Sequence, residues 1–128
     1  MPNSSQPSRV LVVDDEMLIR WSLAETLTAA GYLVVEGRDA AEAREAIRDD
    51  HRRPDVVLLD YRLPDSDNLD LLTTIRHEVP NVPVILMTAH GTADVVKGAL
   101  DLGAYRVVSK PFEVRDMALL VAEALAAR

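Results

Sequence analysis

The chain has 128 residues, 21 acidic against 14 basic, with a formal net charge of −7 and no cysteine. Its length suits one domain with one core; the acidic excess excludes the clustered Lys and Arg footprint of a nucleic-acid binder, and the missing thiol excludes disulfides, thiol catalysis and thiolate metal centres. No apolar run nears the roughly 18 residues of a membrane span, and the opening MPNSSQPSR lacks the apolar stretch of a secretion signal, so a cytoplasmic globular domain is expected.

Residues 1–8 are polar and Pro-containing, which predicts a disordered tail before one domain over 9–128. Val10–Val13 reads as a first strand. Ile19, Leu23, Leu27 and Ala30 then share one helical face, with Gly31 as a stop. Leu33–Val35 is a second strand, and Asp39 a cap for a helix through Ala43, Ala46 and Ile47 that ends in the polar Asp49–Arg53. Val56–Leu59 is a third strand. Asp67 or Asn68 is the expected cap of a helix through Leu71, Leu72 and Ile75, which must stop before Pro80. Val84–Met87 follows as a strand, and Thr92 as the cap of a helix through Val96, Ala99 and Leu100, with Gly103 beyond it. A short strand at Val107–Val108 precedes a last helix from about Glu113 to Ala127, through Val114, Met117, Leu120, Val121 and Leu125.

Five strands alternating with five helices is the pattern of an α/β domain with a parallel sheet. The strand runs are apolar throughout rather than alternating, as strands covered on both faces require. Right-handed crossovers leave a flavodoxin-like doubly wound sheet as the simplest arrangement.

In such a sheet ligands sit outside the carboxyl ends of the strands. The residues there are Asp14, Asp15 and Glu16 after the first strand, Asp60 after the third, Thr88 after the fourth and Lys110 after the fifth. Crowded carboxylates repel unless a cation bridges them, and an all-oxygen set suits Mg²⁺. A carboxylate beside bound Mg²⁺, an ammonium and a hydroxyl can accept a phosphoryl group. Neither a phosphate-binding G-x-x-x-x-G-K-[ST] loop nor a G-x-G-x-x-G fingerprint occurs, so a nucleotide is not the expected ligand.

The blocks LVVDDE, VVLLDYRLPDSD, VILMTAHG and VVSKPF resemble, in order, those of the two-component response-regulator receiver domain, from about Arg9 to Ala127. The pairing of DDEMLIRW with LMTAHG is similar to receivers of nitrogen-regulation-type transcriptional activators, which carry a downstream ATPase and a DNA-binding domain. The resemblance implies strand order 2-1-3-4-5 and a phosphorylation-controlled signalling switch rather than a metabolic enzyme. Asp60 resembles the phosphoacceptor, modified by a sensor histidine kinase or a phosphotransfer protein. Asp15 resembles the direct Mg²⁺ ligand and Asp14 its neighbour, which in the family holds the metal through water; the resemblance implies the main-chain carbonyl of Arg62 as a further ligand, with Asp60 completing the set. Thr88 resembles the hydroxyl that moves toward the phosphate, and Lys110 the phosphate-pairing amine, in a Lys110–Pro111 bond that is typically cis in the family. Slow self-hydrolysis of the aspartyl phosphate is expected with this chemistry, the acidic charge and the lack of a long apolar run predict no direct nucleic-acid or membrane contact by this domain, and a homodimer through the fourth helix and fifth strand is one of two readings of that surface. The alternatives are a receiver-like interaction module that works without phosphorylation, and a small-molecule phosphatase, which needs a cap over the site that these short connections do not supply.

Two positions depart from the family pattern. Val107 stands where many receivers carry a rotating aromatic ring, and Tyr105, an even step earlier, is expected on the same strand face as a possible substitute. Asn68 stands where Gly is usual, and Asn tolerates the positive φ of such a turn. His90 and Arg62 flank the acceptor, where they either tune the lifetime of the phosphate or are plain loop residues; Ala89 leaves the acceptor open. Asp65, Asp67 and Asp70 read as caps in an acidic loop, and His51 and His77 as helix-end residues with no ligand role. Trp21, about 200° round the first helix from Ile19, should leave the sheet and pack along a neighbouring helix edge, the partner-anchor role being the less expected one. Val95 and Leu102 widen the apolar stripe of the fourth helix toward a dimer face or simply complete the core, and Gly98 within it costs roughly 1 kcal/mol relative to Ala.

Overall fold

The structure, a computed structural model, describes residues 6–66 and 69–128. Its elements alternate: β1 (Arg9–Val13), α1 (Met17–Ala29), β2 (Leu33–Gly37), α2 (Ala40–Arg48), β3 (Val56–Asp60), α3 (Asp70–Glu78), β4 (Val84–Thr88), α4 (Ala93–Asp101), β5 (Arg106–Ser109) and α5 (Val114–Ala127). The five strands form one parallel sheet in the order β2-β1-β3-β4-β5. The predicted α/β architecture and strand order are therefore both present.

Strand periodicity divides the core into two layers. Val10, Val12, Val56, Leu58, Ile85 and Met87 face α1 and α5, meeting Leu23, Leu27, Met117 and Val121. Leu11, Val13, Val57, Leu59, Val84 and Leu86 face the other way, onto Ala43, Ile47, Leu72, Ile75 and Ala99. The central strands β3 and β4 are buried from end to end, which is why their sequences show no polar alternation. The pairing register aligns the strand ends: Val13 lies opposite Leu59, Asp60 opposite Met87, and Thr88 opposite Ser109. Residues directly after these pairs must share one edge.

Most helix boundaries follow their predicted signals. Gly31 takes a φ of 100° just past α1, the Asp39 carboxylate accepts the Glu42 N–H at 2.8 Å, and the Thr92 hydroxyl accepts the Val95 N–H at 3.3 Å. Three expectations need correction. Ala30 is exposed and caps α1 rather than lining its core face. Leu100 is 47% exposed, because the inner face of α4 runs through half-buried Val95 and Val96 to Ala99 and turns the next residue outward. The N-cap position of α3 is held by Leu69 without a side-chain bond; the caps expected at Asp67 or Asn68, and the turn expected at Asn68, lie outside the described residues. Ala99 is the sole buried residue of α4, so this helix is held less firmly than its neighbours. Gly98 has a packing reason: a Cβ there would meet Leu69 Cδ1 at 3.1 Å.

Asp65 caps a helix other than the one that follows it. From the loop after β3, its carboxylate accepts the N–H groups of Ala40 at 2.8 Å and Ala41 at 3.1 Å, at the N-terminus of α2. Those bonds hold its carboxyl below the ordinary aspartate range. Stability from this contact is therefore present at neutral pH and lost as pH falls through the lowered value. Asp65→Ala is expected to cost about 1 kcal/mol, the usual scale of an N-cap, in urea unfolding at neutral pH. An unchanged midpoint would show that Asp39 caps α2 unaided.

Candidate phosphoacceptor site

The carboxyl edge of the sheet gathers the predicted residues. Backbone ladders extend one residue past the strands: the Asp14 N–H donates to Gly37 O at 3.0 Å, Tyr61 N–H to Met87 O at 2.8 Å, and Lys110 N–H to Thr88 O at 2.8 Å. Asp15, Glu16, Asp60, Tyr61, Arg62, Thr88, Ala89, His90 and Lys110 line one cleft of about 290 Å³. Asp14 is fully buried and joins the cleft through Lys110, whose ammonium it binds.

Lys110 is the hub. Its Nζ donates to Asp14 Oδ2 at 2.8 Å, to Asp60 Oδ2 at 3.2 Å and to Glu16 Oε1 at 3.2 Å. Burial by itself lowers the lysine pKa, but the hydrogen bond and charge of Asp14, the charge of Asp60 and the bond to Glu16 outweigh it and raise the value overall. Asp60 goes the other way from a typical ion-paired acid. Burial and the neighbouring Asp14 charge push its carboxyl up to about 6, against the opposing pull of Lys110 and the Arg62 N–H. One ammonium does not compensate the acids around it.

The remaining contacts fix directions. Asp14 Oδ1 accepts the Glu16 N–H at 2.9 Å, Asp60 Oδ1 accepts the Arg62 N–H at 3.4 Å, and the buried Thr88 hydroxyl accepts the His90 N–H at 3.1 Å. The Lys110–Pro111 peptide is cis. Carboxylate oxygens of Asp14, Asp15 and Asp60 lie within 4.8 Å of one another. Three hard oxygen donors at that spacing, short of positive charge, fit a small divalent cation such as Mg²⁺.

A family profile described as the response regulator receiver domain matches residues 10–122. The chain belongs to the response-regulator receiver family. This receiver is 40% identical over 116 residues to the DNA-binding transcriptional regulator NtrC of Escherichia coli (strain K12), covering 91% of this chain and 24% of that one. It superposes on the receiver domain of NtrX from Brucella abortus with a TM-score of 0.82 at 38% identity, covering 93% of this chain and 99% of that one. A CheY-like receiver domain protein from Methanospirillum hungatei JF-1 matches with a TM-score of 0.89 at 27% identity, covering 95% and 96% of the two chains. The receiver thus spans about a quarter of the NtrC regulators it matches. No helix among its described residues is long and apolar enough to cross a membrane.

Two expectations around the site are corrected. Tyr105 does not share a face with Val107: it precedes β5, and its ring packs in the α1 and α5 layer, its hydroxyl 3.5 Å from Glu123 Oε1. Val107 packs in the opposite layer, so the even-step rule fails where the regular strand has not begun. Tyr105 therefore does not stand in for the missing ring. Trp21 is 58% exposed rather than packed along a helix edge, and Met17 and Leu18 beside it are exposed too. Sequence reasoning also left Glu16 without a role and passed over Tyr61, which lines the cleft while packing against the α2, α3 and α4 layer.

Proposed function

We propose that this receiver is a phosphorylation-controlled switch whose acceptor is Asp60 and whose donor is the phosphohistidine of a sensor histidine kinase or phosphotransfer protein. The observation that carries this reading is the convergence of Asp14, Asp15, Asp60 and Lys110 at one strand edge beside the buried Thr88 hydroxyl. Asp15, Asp60, the Arg62 carbonyl and, through water, Asp14 would hold Mg²⁺, which when bound neutralises charge on the phosphoryl oxygens. An Asp60 oxygen attacks phosphorus; the new P–O bond forms as the P–N bond to the donor imidazole breaks. Lys110, already within reach of Asp60, pairs with a phosphoryl oxygen and releases part of its hold on Asp14 and Glu16. Thr88 turns its hydroxyl to the phosphate, giving up the bond to the His90 N–H, which alters the loop leading into the weakly anchored α4. That surface, where Leu100 and Leu102 stand exposed, is the output face for a partner or a second copy.

The test is incubation with Mg²⁺ and acetyl phosphate followed by intact-mass measurement. A single labile phosphate that requires Mg²⁺ and is absent from Asp60→Asn is expected. No adduct from either acetyl phosphate or a phosphohistidine donor would favour the phosphorylation-independent interaction module. The decay of the adduct reads out Arg62 and His90, which we expect to set its lifetime: exchanging both for Ala should change the decay rate.

The exposed Met17, Leu18 and Trp21 lie on α1 directly beside the acidic turn, in reach of a protein donor docked over Asp60. Trp21→Ala is expected to slow transfer from a cognate kinase at least about tenfold while leaving acetyl phosphate labelling unchanged. Equal rates from the kinase would remove Trp21 from that contact.

A further inference from the structure

The geometry points to Arg20 and Glu36 as a positioning pair for the acidic turn: Arg20, anchored on Glu36, holds the Asp14 main-chain carbonyl and thereby aims Asp15 at the bound cation. This inference rests on the reading of the site as a Mg²⁺ centre. Arg20 lies in the first turn of α1, where helical side chains lean back toward the N-terminus. Its side chain is only 16% exposed although it ends at the protein surface. Nη1 donates to the Asp14 carbonyl at 2.7 Å, and Nε donates to Glu36 Oε1, near the end of β2, at 3.0 Å.

The consequence is a turn fixed on every side. The Asp14 N–H is held by Gly37 O, its side chain by Lys110 and the Glu16 N–H, and its carbonyl by Arg20. That carbonyl belongs to the peptide joining Asp14 to Asp15, so fixing it sets the plane from which the exposed Asp15 side chain departs. Asp15 makes no side-chain hydrogen bond among the described residues that would orient it otherwise. Groups one layer behind a metal ligand act in this way, and their loss weakens metal affinity about 10- to 100-fold.

Electrostatics alone predicts the opposite sign. Arg20 is a cation near an intended cation site, so removing its charge should tighten Mg²⁺ binding. A positioning role predicts that Arg20→Met weakens it. The experiment is calorimetric titration of the protein with MgCl₂ alone. We expect Arg20→Met to raise the Mg²⁺ Kd about tenfold or more, and Glu36→Ala to raise it several-fold. Glu36→Gln, which keeps a hydrogen-bond acceptor, should stay near wild type. Arg20→Lys, which cannot span both acceptors, should fall between. A Kd within twofold of wild type, or tighter, in both Arg20→Met and Glu36→Ala overturns the inference. If Arg20→Met fails to fold, Arg20→Lys and Glu36→Ala decide it.

A second readout needs no metal. In EDTA, amide exchange at Asp15 and Glu16 should quicken in Arg20→Met and Glu36→Ala relative to the β3 and β4 amides. Uniform quickening across the sheet would mean that the pair merely supports the fold, and would overturn the positioning role. Wild-type protein that takes up no Mg²⁺ would defeat the metal reading of the site, while the exchange data would still judge the clamp.

Discussion

Lys110→Ala is expected to lower stability in EDTA by about 2–4 kcal/mol at neutral pH while tightening Mg²⁺ binding by roughly tenfold or more. The two effects have one origin. Lys110 is the ammonium that touches Asp14, Asp60 and Glu16 at once, and Asp14 is wholly buried. Without it, buried carboxylates face one another uncompensated, and removing one partner of a buried pair is what makes such pairs costly. The loss is held below the upper end of that range because the Asp60 carboxyl already sits at about 6 and takes up a proton readily. The deficit should therefore shrink in mildly acid buffer.

A divalent cation answers the same electrostatic need, so excess Mg²⁺ should restore most of the stability of the alanine variant through ligand linkage. Phosphoryl transfer should not recover with it. Phosphoryl oxygens would lose their fixed ammonium, for which a drop of about 100-fold or more in labelling rate is expected. Urea unfolding with and without Mg²⁺, read beside adduct formation, separates the two roles. An alanine variant as stable as wild type in EDTA, with unaltered Mg²⁺ affinity, would show that the acids are balanced by something other than Lys110.

How much of this was legible in the chain depends on whether the determinant was local. Apolar runs at Val56–Leu59 and Val84–Met87 carry their own signature, because a strand covered on both faces can hold no polar alternation. Asp39 and Thr92 were readable as caps because a cap bonds residues within one turn. The acids and the lysine were readable because each stands at or just past the carboxyl end of a strand, and a parallel sheet brings such positions to one edge.

What escaped spans elements. Asp65 reaches across to α2, 25 residues earlier in the chain, and nothing in its neighbours marks that helix as its target. Arg20 bonds Glu36 across 16 residues, and an arginine on the first turn of a helix reads as an ordinary surface charge. Tyr105 shows the limit of period-two reasoning: parity holds only within a regular strand, and β5 begins at Arg106. Leu100 and Leu102 show a related limit, since an apolar side chain predicts burial only where something packs over it.

Asp60→Asn is expected to be more stable than wild type in EDTA, by about 1–3 kcal/mol near pH 8, with the advantage vanishing near pH 4. The Asp60 carboxyl is raised from 3.8 to about 6 by burial and by Asp14, with Lys110 opposing. A group whose folded value lies above its unfolded one stabilises the fold fully only below the unfolded value. Its contribution fades as pH rises through the folded value, here between roughly pH 4 and 6. Asparagine keeps the shape and never ionises, so it escapes that loss, and Lys110 retains Asp14 and Glu16 as partners. Mg²⁺ should invert the order, because on the proposed function the charge that destabilises the wild-type site in EDTA is the charge the cation would bind. Unfolding midpoints across that pH range, with and without Mg²⁺, carry the test; an advantage independent of pH, or an asparagine variant weaker than wild type in EDTA, would mean that Lys110 already satisfies Asp60. On the expected outcome, the receiver keeps Asp60 ionised at neutral pH at the expense of its own stability, and that repulsion favours a divalent cation at the site; on the proposed function, the cation in turn would offset the charge of the incoming phosphoryl oxygens.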